Sequence, residues 1–193
     1  MSKIYHEGNR EFQDQFDSRK LGDRVEELIV HNELTEEDCE LITSRDMFFI
    51  SSVDVEGRPT VSYKGGDIGF VRVIDAKTIA FPSYDGNGMF MTAGNIVTNN
   101  DVGLLFIDFE NPKRLRLHGS ATIDKHDSLL NEYIDAHFII RISVRNLFIN
   151  CPRYIHRYKK IDTSEYVPKQ GCETPVPEWK TLDVVQDVLP KKP

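Results

Sequence analysis

The chain lacks a long apolar stretch. No run of its 193 residues approaches the roughly 18–20 apolar positions that a membrane-spanning helix requires. Its beginning, MSKIYHEGNREFQDQF, also lacks the apolar segment of a secretory signal. The length fits one domain with appended segments. We therefore expect no membrane partner and a cytoplasmic location.

Cysteine is scarce and metal-binding spacings are missing. The three cysteines, Cys39, Cys151 and Cys172, are far apart and show no CxxC spacing. This pattern excludes a disulfide scaffold or zinc knuckle and favours a reducing compartment. The six histidines form no HxxxH or HExxH motif, so we expect no metal site.

Positive charge is in the minority. The 24 lysines and arginines are outnumbered by 31 acidic residues, which gives a net charge of −7. An acidic chain of this kind is not expected to bind nucleic acid, because the phosphate backbone attracts basic surfaces. A local basic patch for a small anion is still compatible with this balance.

The hydrophobic pattern predicts short strands with peripheral helices. A charged amphipathic helix is expected over residues 10–31, with a break near Leu21 and Gly22. A capping box at Thr35–Asp38 begins a short helix that ends near Ser44. Strands follow over 47–53, 59–64, 70–74, 78–81, 102–109, 113–123 and 137–149, and helices over 89–98 and 126–136.

Strand follows strand across short turns, which favours an antiparallel barrel or sandwich over a parallel α/β sheet. We expect a helical segment at 1–44, a barrel domain at 45–162 and an extended tail at 163–193. The tail carries five prolines, and we expect it to pack on the barrel or on a partner.

One strand combines alternating apolar and basic residues. In the segment KRLRLH at 113–118, alternation places Leu115 and Leu117 on one face and Arg114, Arg116 and His118 on the other. Such a basic face is either a solvated outer surface or an anion site, because arginine matches phosphate oxygens.

Two further segments are candidate anion sites. In SYKGG, Ser62 and Lys64 precede Gly65, and glycine allows a ligand to approach the backbone. In DGNGM, Asn87 lies just before a predicted helix, whose first N–H groups suit phosphate. A plain turn and a capping loop without a ligand are the structural alternatives.

The order of these segments resembles the pyridoxamine-5′-phosphate-oxidase-like, FMN-binding split-barrel family. The resemblance rests on RDMFFISSVDVEGRPTVSYKGG, GFVRVIDAKTIAFPSYDGN, MFMTAGNIVTNNDVGLLFIDF and RLRLHGSATI, and NCPRYI and TPVPEWK place the chain with a short bacterial branch. It implies a mainly β fold, an antiparallel six-stranded split β-barrel. It also implies a homodimer with FMN at the subunit interface.

The resemblance implies roles for nine residues. The cofactor-binding candidates are Ser62, Lys64, Gly65, Asn87, Asn95, Arg114, Arg116, Arg153 and Tyr154. The segment with Asn95 is expected to face the phosphate and ribityl chain, and Arg114 is expected to reach the flavin ring across the dimer. No catalytic residue is assigned.

The expected function is that of an FMN-dependent oxidoreductase acting on an unknown small molecule. The tryptophan-and-arginine motif of the true oxidase is absent, so pyridoxamine phosphate is not the expected substrate. The alternatives are a flavin-binding or stress-related module without turnover, the same groove holding a deazaflavin or haem with His118 or His156 as axial ligand, and a pure interaction protein.

Overall fold

Three helices precede the sheet in the computed structural model, which describes residues 2–190. They are α1 (Glu7–Gln15), α2 (Arg19–Ile29) and α3 (Glu36–Thr43). The predicted capping box is confirmed at α3, because the Asp38 N–H donates to Thr35 Oγ1 and the Thr35 N–H donates to the Asp38 carboxylate. These bonds satisfy N–H groups that a helix start leaves free.

The helix break was predicted at the wrong place. It lies between α1 and α2, where Asp17 adopts a left-handed φ of 50°. Gly22 is inside α2, and a Cβ there would lie 2.7 Å from Gln13 Nε2. Only the flexible end of the Gln13 side chain lies there, and Gly22 continues the helix rather than ending it.

Seven antiparallel strands form one sheet in the order β2-β1-β5-β6-β7-β4-β3. The strands are β1 (Met47–Val53), β2 (Pro59–Gly65), β3 (Arg72–Asp75), β4 (Thr78–Tyr84), β5 (Asp101–Asp108), β6 (Lys113–Asp124) and β7 (Ala136–Asn150). The seven strand segments predicted from the sequence are all present, and the six strands of the barrel implied by the resemblance correspond to the longer ones. Six strands have seven or more residues, and the additional one, β3, has four and pairs only with β4.

The sheet curls into a barrel. The rings of Phe48 in β1 and Phe81 in β4 have centroids 4.9 Å apart, although three strands separate β1 from β4 in the sheet order. Their contact closes an interior filled by buried aliphatic and aromatic side chains from β1, β4, β5, β6 and β7. No strand pairing joins β2 to β3 within residues 2–190, so the barrel is split at these two edges.

A fourth helix, α4 (Met91–Thr98), packs against β1, β2 and β6. The helix predicted near residues 126–136 is instead a single 3-10 turn at Ser128–Glu132. Its start is fixed by Asp127, which accepts from the Leu129 N–H and from the Arg141 guanidinium. Residues 133–135 then connect this turn to β7.

The tail beyond β7 has little regular structure. Within the predicted tail at 163–193, it contains a 3-10 turn at Glu178–Thr181 and one short helix, α5 (Asp183–Gln186). The Tyr158 N–H donates to the Phe109 carbonyl at 3.1 Å, which holds the segment after β7 against the barrel.

No helix between residues 2 and 190 is long and apolar enough to cross a membrane. The proposed domain limits stay a prediction.

Candidate functional site

A cleft of about 200 Å³ lies between the end of β2 and the start of α4. Ser62 and Lys64 share one face of β2, because side chains alternate along a strand. The cleft is lined by Ser62, Lys64, Ser83, Tyr84, Gly86, Asn87, Gly88, Met89, Phe90, Met91, Thr92, Ala93 and Ile140. We call it the Lys64 cleft.

Lys64 is a half-buried cation at this cleft. Burial lowers the pKa of its ammonium below the usual 10.5. Within residues 2–190, no carboxylate lies within ion-pair distance of Lys64. A desolvated cation without a counter-ion favours an anionic ligand, since an anion restores the lost solvation.

The other polar side chains of the Lys64 cleft are four hydroxyls and one amide: Ser62, Ser83, Tyr84, Thr92 and Asn87. The Ser62 and Thr92 hydroxyls are 3.0 Å apart. Burial, with smaller contributions from Tyr133 and Asp67, raises the pKa of Tyr84 to about 12, so its hydroxyl keeps its proton. No acidic side chain lines the cleft. This set of groups suits an anion.

The helix α4 begins at the edge of the cleft. Phe90 precedes it with a left-handed φ of 48°, which turns the chain into the helix. The first N–H groups of a helix have no partner within it and carry a partial positive charge. Thr92 and Ala93 of this first turn both line the Lys64 cleft.

The cleft brings together three of the residues predicted from the sequence: Ser62, Lys64 and Asn87. Asn87 Oδ1 accepts the Met89 N–H at 3.1 Å and shapes the loop before α4. Gly65 follows Lys64 in β2, where a Cβ would lie 2.7 Å from the ring of Tyr63. This contact gives the glycine a packing reason beside the predicted ligand contact.

Sequence reasoning missed Tyr84 and Thr92. Tyr84 ends β4 and Thr92 lies in the first turn of α4, on either side of the loop that carries Asn87. The available signal was their position: both flank the glycine-rich loop already singled out as a phosphate candidate.

Asn95 is not among the residues lining the Lys64 cleft. Its Nδ2 donates to Ser52 Oγ at 3.0 Å and to Thr60 Oγ1 at 3.2 Å. The Ser52 and Thr60 hydroxyls are themselves 3.1 Å apart. Asn95 therefore fixes α4 to β1 and β2, and its predicted contact with a cofactor stays a prediction.

The basic face of β6 is confirmed in its geometry. Leu115 and Leu117 are fully buried, whereas Arg114, Arg116 and His118 point to the outer face. Strand register places Arg116 beside Leu105, Leu105 beside Phe49 and Phe49 beside Tyr63. We call this row of outward side chains the outer face of the sheet.

Two arginines on the outer face differ in their surroundings. Arg116 is exposed, with its guanidinium 5.8 Å from the centre of the Phe148 ring. Arg114 Nε is buried and has no hydrogen-bond partner, and the same is true of Asn150 Oδ1 on the paired strand. A buried donor without a partner is costly, so Arg114 is the group on this face that most needs an acceptor.

His118 is oriented by a neighbouring side chain. Its Nδ1 lies 3.0 Å from Asn146 Oδ1. Burial lowers the pKa of the imidazole, the Asn146 contact raises it, and Arg116 and Arg145 lower it further. A lowered pKa favours the neutral ring, in which Nδ1 donates to Asn146 and Nε2 carries a lone pair.

Arg153 and Tyr154 follow β7. Arg153 Nε donates to Cys151 Sγ at 3.3 Å, and this bond with the backbone N–H of Arg153 lowers the pKa of the thiol. Tyr154 is 92% exposed and has a left-handed φ of 70°. Neither residue lines the Lys64 cleft.

The predicted residues thus fall into two main groups on one chain. The Lys64 cleft begins on β2, and the arginines lie on β6, three strands away in the sheet order. At about 4.8 Å per strand, these strands are roughly 14 Å apart. No cluster of three or more metal-ligating side chains is found between residues 2 and 190.

The fold is an antiparallel split barrel, and the Lys64 cleft is a candidate site for a small anion. The family model described as pyridoxamine 5′-phosphate oxidase matches residues 34–145, which is more than half of the chain. The chain belongs to this family. No curated protein matches it.

Solved structures show the same fold. A candidate pyridoxamine 5′-phosphate oxidase from Lactobacillus delbrueckii is 22% identical, with a TM-score of 0.51 over 61% of this chain and 95% of that one. HupZ from Group A Streptococcus is also 22% identical, with a TM-score of 0.50 over 60% and 93%.

HutZ, the heme storage protein from Vibrio cholerae, is 20% identical over 60% of this chain and 94% of that one. Its TM-score is 0.45, which is too low to support an inference.

Proposed function

We propose that the Lys64 cleft binds the phosphate end of FMN and that the chain is a flavoprotein oxidoreductase acting on a small molecule. The observation that carries the proposal is Lys64, a half-buried cation with no carboxylate partner within the described chain, in a cleft of hydroxyls and helix N–H groups. A phosphate dianion satisfies all of these donors together. Family membership supports the choice of FMN as the anion.

The outer face supplies the second requirement of a flavin. Arg114 offers a buried Nε without a partner, and Arg116 offers an exposed guanidinium. A flavin ring carries negative charge when reduced, so a cation beside it stabilises that state. The residues present therefore fit FMN at both ends.

We further propose that two copies pair through the outer face, with FMN between them. Val61 and Tyr63 of the edge strand β2 are 70% and 61% exposed, beside the half-buried Phe49 and Leu105. An apolar patch of this kind marks an interaction surface. A two-fold pair would bring the Lys64 cleft of one chain towards the arginines of the other, which lie three strands apart within one chain.

FMN, when bound, supplies electron transfer between a small molecule and its ring. The tasks of this chain are to bind and to orient the cofactor. Lys64, Ser62 and Thr92 hold the anionic end, Tyr84 donates a hydrogen bond, and the apolar Met89, Phe90 and Met91 cover the cleft rim against water. The three free cysteines support a reducing, cytoplasmic location.

An FMN titration tests the proposal. The purified protein should show a flavin spectrum, or acquire one with added FMN, and Lys64→Ala should weaken FMN about tenfold to a hundredfold, since a charged hydrogen bond contributes about 1.5–3 kcal/mol. The matched control is Lys77→Ala, an exposed lysine paired with Glu33, which should bind as the wild type does. A protein that ignores FMN, or binds it equally well without Lys64, contradicts the proposal.

Turnover is tested separately. Reduction of the bound flavin by a nicotinamide or organic donor faster than free FMN supports an oxidoreductase. A spectrum without such reduction supports a flavin-binding module instead.

His118 favours haem as a second candidate ligand. The Asn146 contact orients the ring and leaves Nε2 available to a metal, as histidine ligands commonly require. Haem titration should then give a Soret band that His118→Ala removes, whereas His156→Ala, at an exposed site in the tail, should keep it. A band unaffected by His118→Ala contradicts this alternative.

A further inference from the structure

The tail returns to the Lys64 cleft from outside the family match. Residues 146–193 lie beyond the matched segment. Within the tail, Thr174 Oγ1 donates to Asp135 Oδ2 at 2.8 Å, and Lys180 Nζ forms an ion pair with Asp85. Asp135 and Asp85 flank the strand pair Ala136 and Tyr84. The tail therefore crosses one end of the β4–β7 ladder, beside the cleft.

Asp85 stands where a negative charge opposes anion binding. It lies in the chain between Tyr84 and Gly86, which both line the Lys64 cleft. Its side chain is 51% exposed and does not itself line the cleft. Without a cation partner, a carboxylate on this loop would add an unfavourable potential for an anion in the Lys64 cleft.

Lys180 is placed to cancel that charge. Its side chain is only 16% exposed, and its ammonium lies 5.5 Å from the centre of the Trp179 ring. Gln186 Nε2 donates to the Lys180 carbonyl at 2.6 Å, which ties α5 to the same turn. The Trp179 ring and the Gln186 hydrogen bond already restrict Lys180. It therefore loses less conformational freedom on forming its ion pair than a free surface lysine does.

We infer that Lys180 is a positioning residue for the Lys64 cleft, which neutralises Asp85 and thereby allows the loop at 84–88 to accept an anionic ligand. The inference rests on the proposed function, because it concerns the same cleft. It makes tail docking and anion binding mutually favourable, since two linked events must strengthen each other equally.

A charge cycle with FMN and riboflavin tests this inference. Lys180→Ala should weaken FMN about five- to tenfold, the size expected for one uncompensated charge near a dianion at physiological salt. Riboflavin shares the ring but has no phosphate. The affinity of Lys180→Ala for riboflavin should therefore stay within twofold of the wild-type value. The double variant Asp85→Asn with Lys180→Ala should recover FMN affinity to within twofold, because the repelling charge is gone.

Lys169→Ala is the matched control, since Lys169 is an exposed lysine of the same tail, and it should not change FMN affinity. Lys180→Ala with wild-type FMN affinity overturns the inference. A double variant as weak as Lys180→Ala also overturns it, because the ion pair would then act through structure and not through charge. Failure of the proposed function is distinguishable, since Lys64→Ala would then leave FMN binding unchanged.

Discussion

At the scale of single residues, Lys64 combines burial with charge. The free protein bears the cost of desolvating the ammonium, and this cost lowers its pKa. A bound dianion stabilises the protonated form of Lys64 and so offsets the unfavourable desolvation. The affinity for the anion is therefore coupled to the protonation of this one side chain.

This coupling predicts a pH dependence. FMN affinity should be full near neutral pH and fall as the pH rises through the lowered pKa of Lys64, below the usual 10.5. Tyr84, with a pKa of about 12, keeps its proton over this range. Titration of FMN and riboflavin between pH 7 and 10 measures the effect, with riboflavin correcting for ionisation of the shared ring.

Lys64→Arg is the control, because arginine stays charged throughout this range. The variant should lose the alkaline fall in FMN affinity relative to riboflavin. An identical fall in wild type and variant would assign the pH dependence to another group.

Single residues also show where sequence reasoning stops. Lys64 was found because it ends a strand beside glycines. The absence of a carboxylate beside Lys64 was not predictable, since no sequence rule shows which charged side chains lie near a lysine in the folded chain. Lys180 and Asp85 are 95 positions apart, and nothing local connects them. Charge pairs of that separation depend on the closed fold.

At the scale of elements, α4 is held by a small polar cluster. Asn95 donates to Ser52 and Thr60, and Ser52 is 1% exposed. The helix that supplies Thr92 to the cleft is thus fixed to β1 and β2 one turn further along the same face. Placement of the candidate site depends on this attachment.

Asn95→Ala should therefore lower the free energy of unfolding by about 1–2 kcal/mol, through the loss of two hydrogen bonds. Urea denaturation measures the change, and Asn100→Ala, at an exposed neighbouring position, should change stability by less than about 0.5 kcal/mol. The FMN affinity of Asn95→Ala should fall less than that of Lys64→Ala. The reverse order would mean that Asn95 contacts the ligand directly.

Elements with local rules were predictable. The two-residue period of KRLRLH gave the correct faces of β6, and Thr35 with Asp38 correctly marked the start of α3. The break before α2 was misplaced because Gly22 continues the helix, whereas the chain turns at Asp17 with its left-handed φ. The helix predicted near residue 130 is a 3-10 turn that follows Asp127, whose carboxylate is bound to Arg141 on β7. Neither the left-handed turn at Asp17 nor the contact with Arg141 is visible in the local sequence pattern.

At the scale of the whole molecule, the outer face is the feature that a single chain leaves incomplete. The split barrel buries its interior fully, yet the neighbouring strands β2, β1, β5 and β6 present apolar and basic groups outward. The edge strand β2 carries both the exposed Tyr63 and the cleft lysine. Assembly and ligand binding therefore involve one strand.

We expect a homodimer with twice the chain mass of 22.2 kDa, as measured by light scattering after gel filtration. Val61→Lys should shift the mass towards that of one chain, because it places a charge in the apolar patch. Leu28→Lys, at a residue 73% exposed on α2, should leave the mass unchanged. A wild-type protein that elutes as one chain would contradict both the dimer and the shared flavin site.

The Lys64 cleft is assembled from elements that lie far apart in the sequence. β1 pairs with β5 and β4 with β7, as in Phe49 with Leu105 and Ile79 with Ile142, and such distant pairings form late because loop closure is slow. The cleft requires β2, β4, β7 and α4 together, so it is absent until these pairings are made. A ligand bound in the cleft therefore slows unfolding without accelerating refolding. The native chain then lasts longer because its unfolding rate is lower.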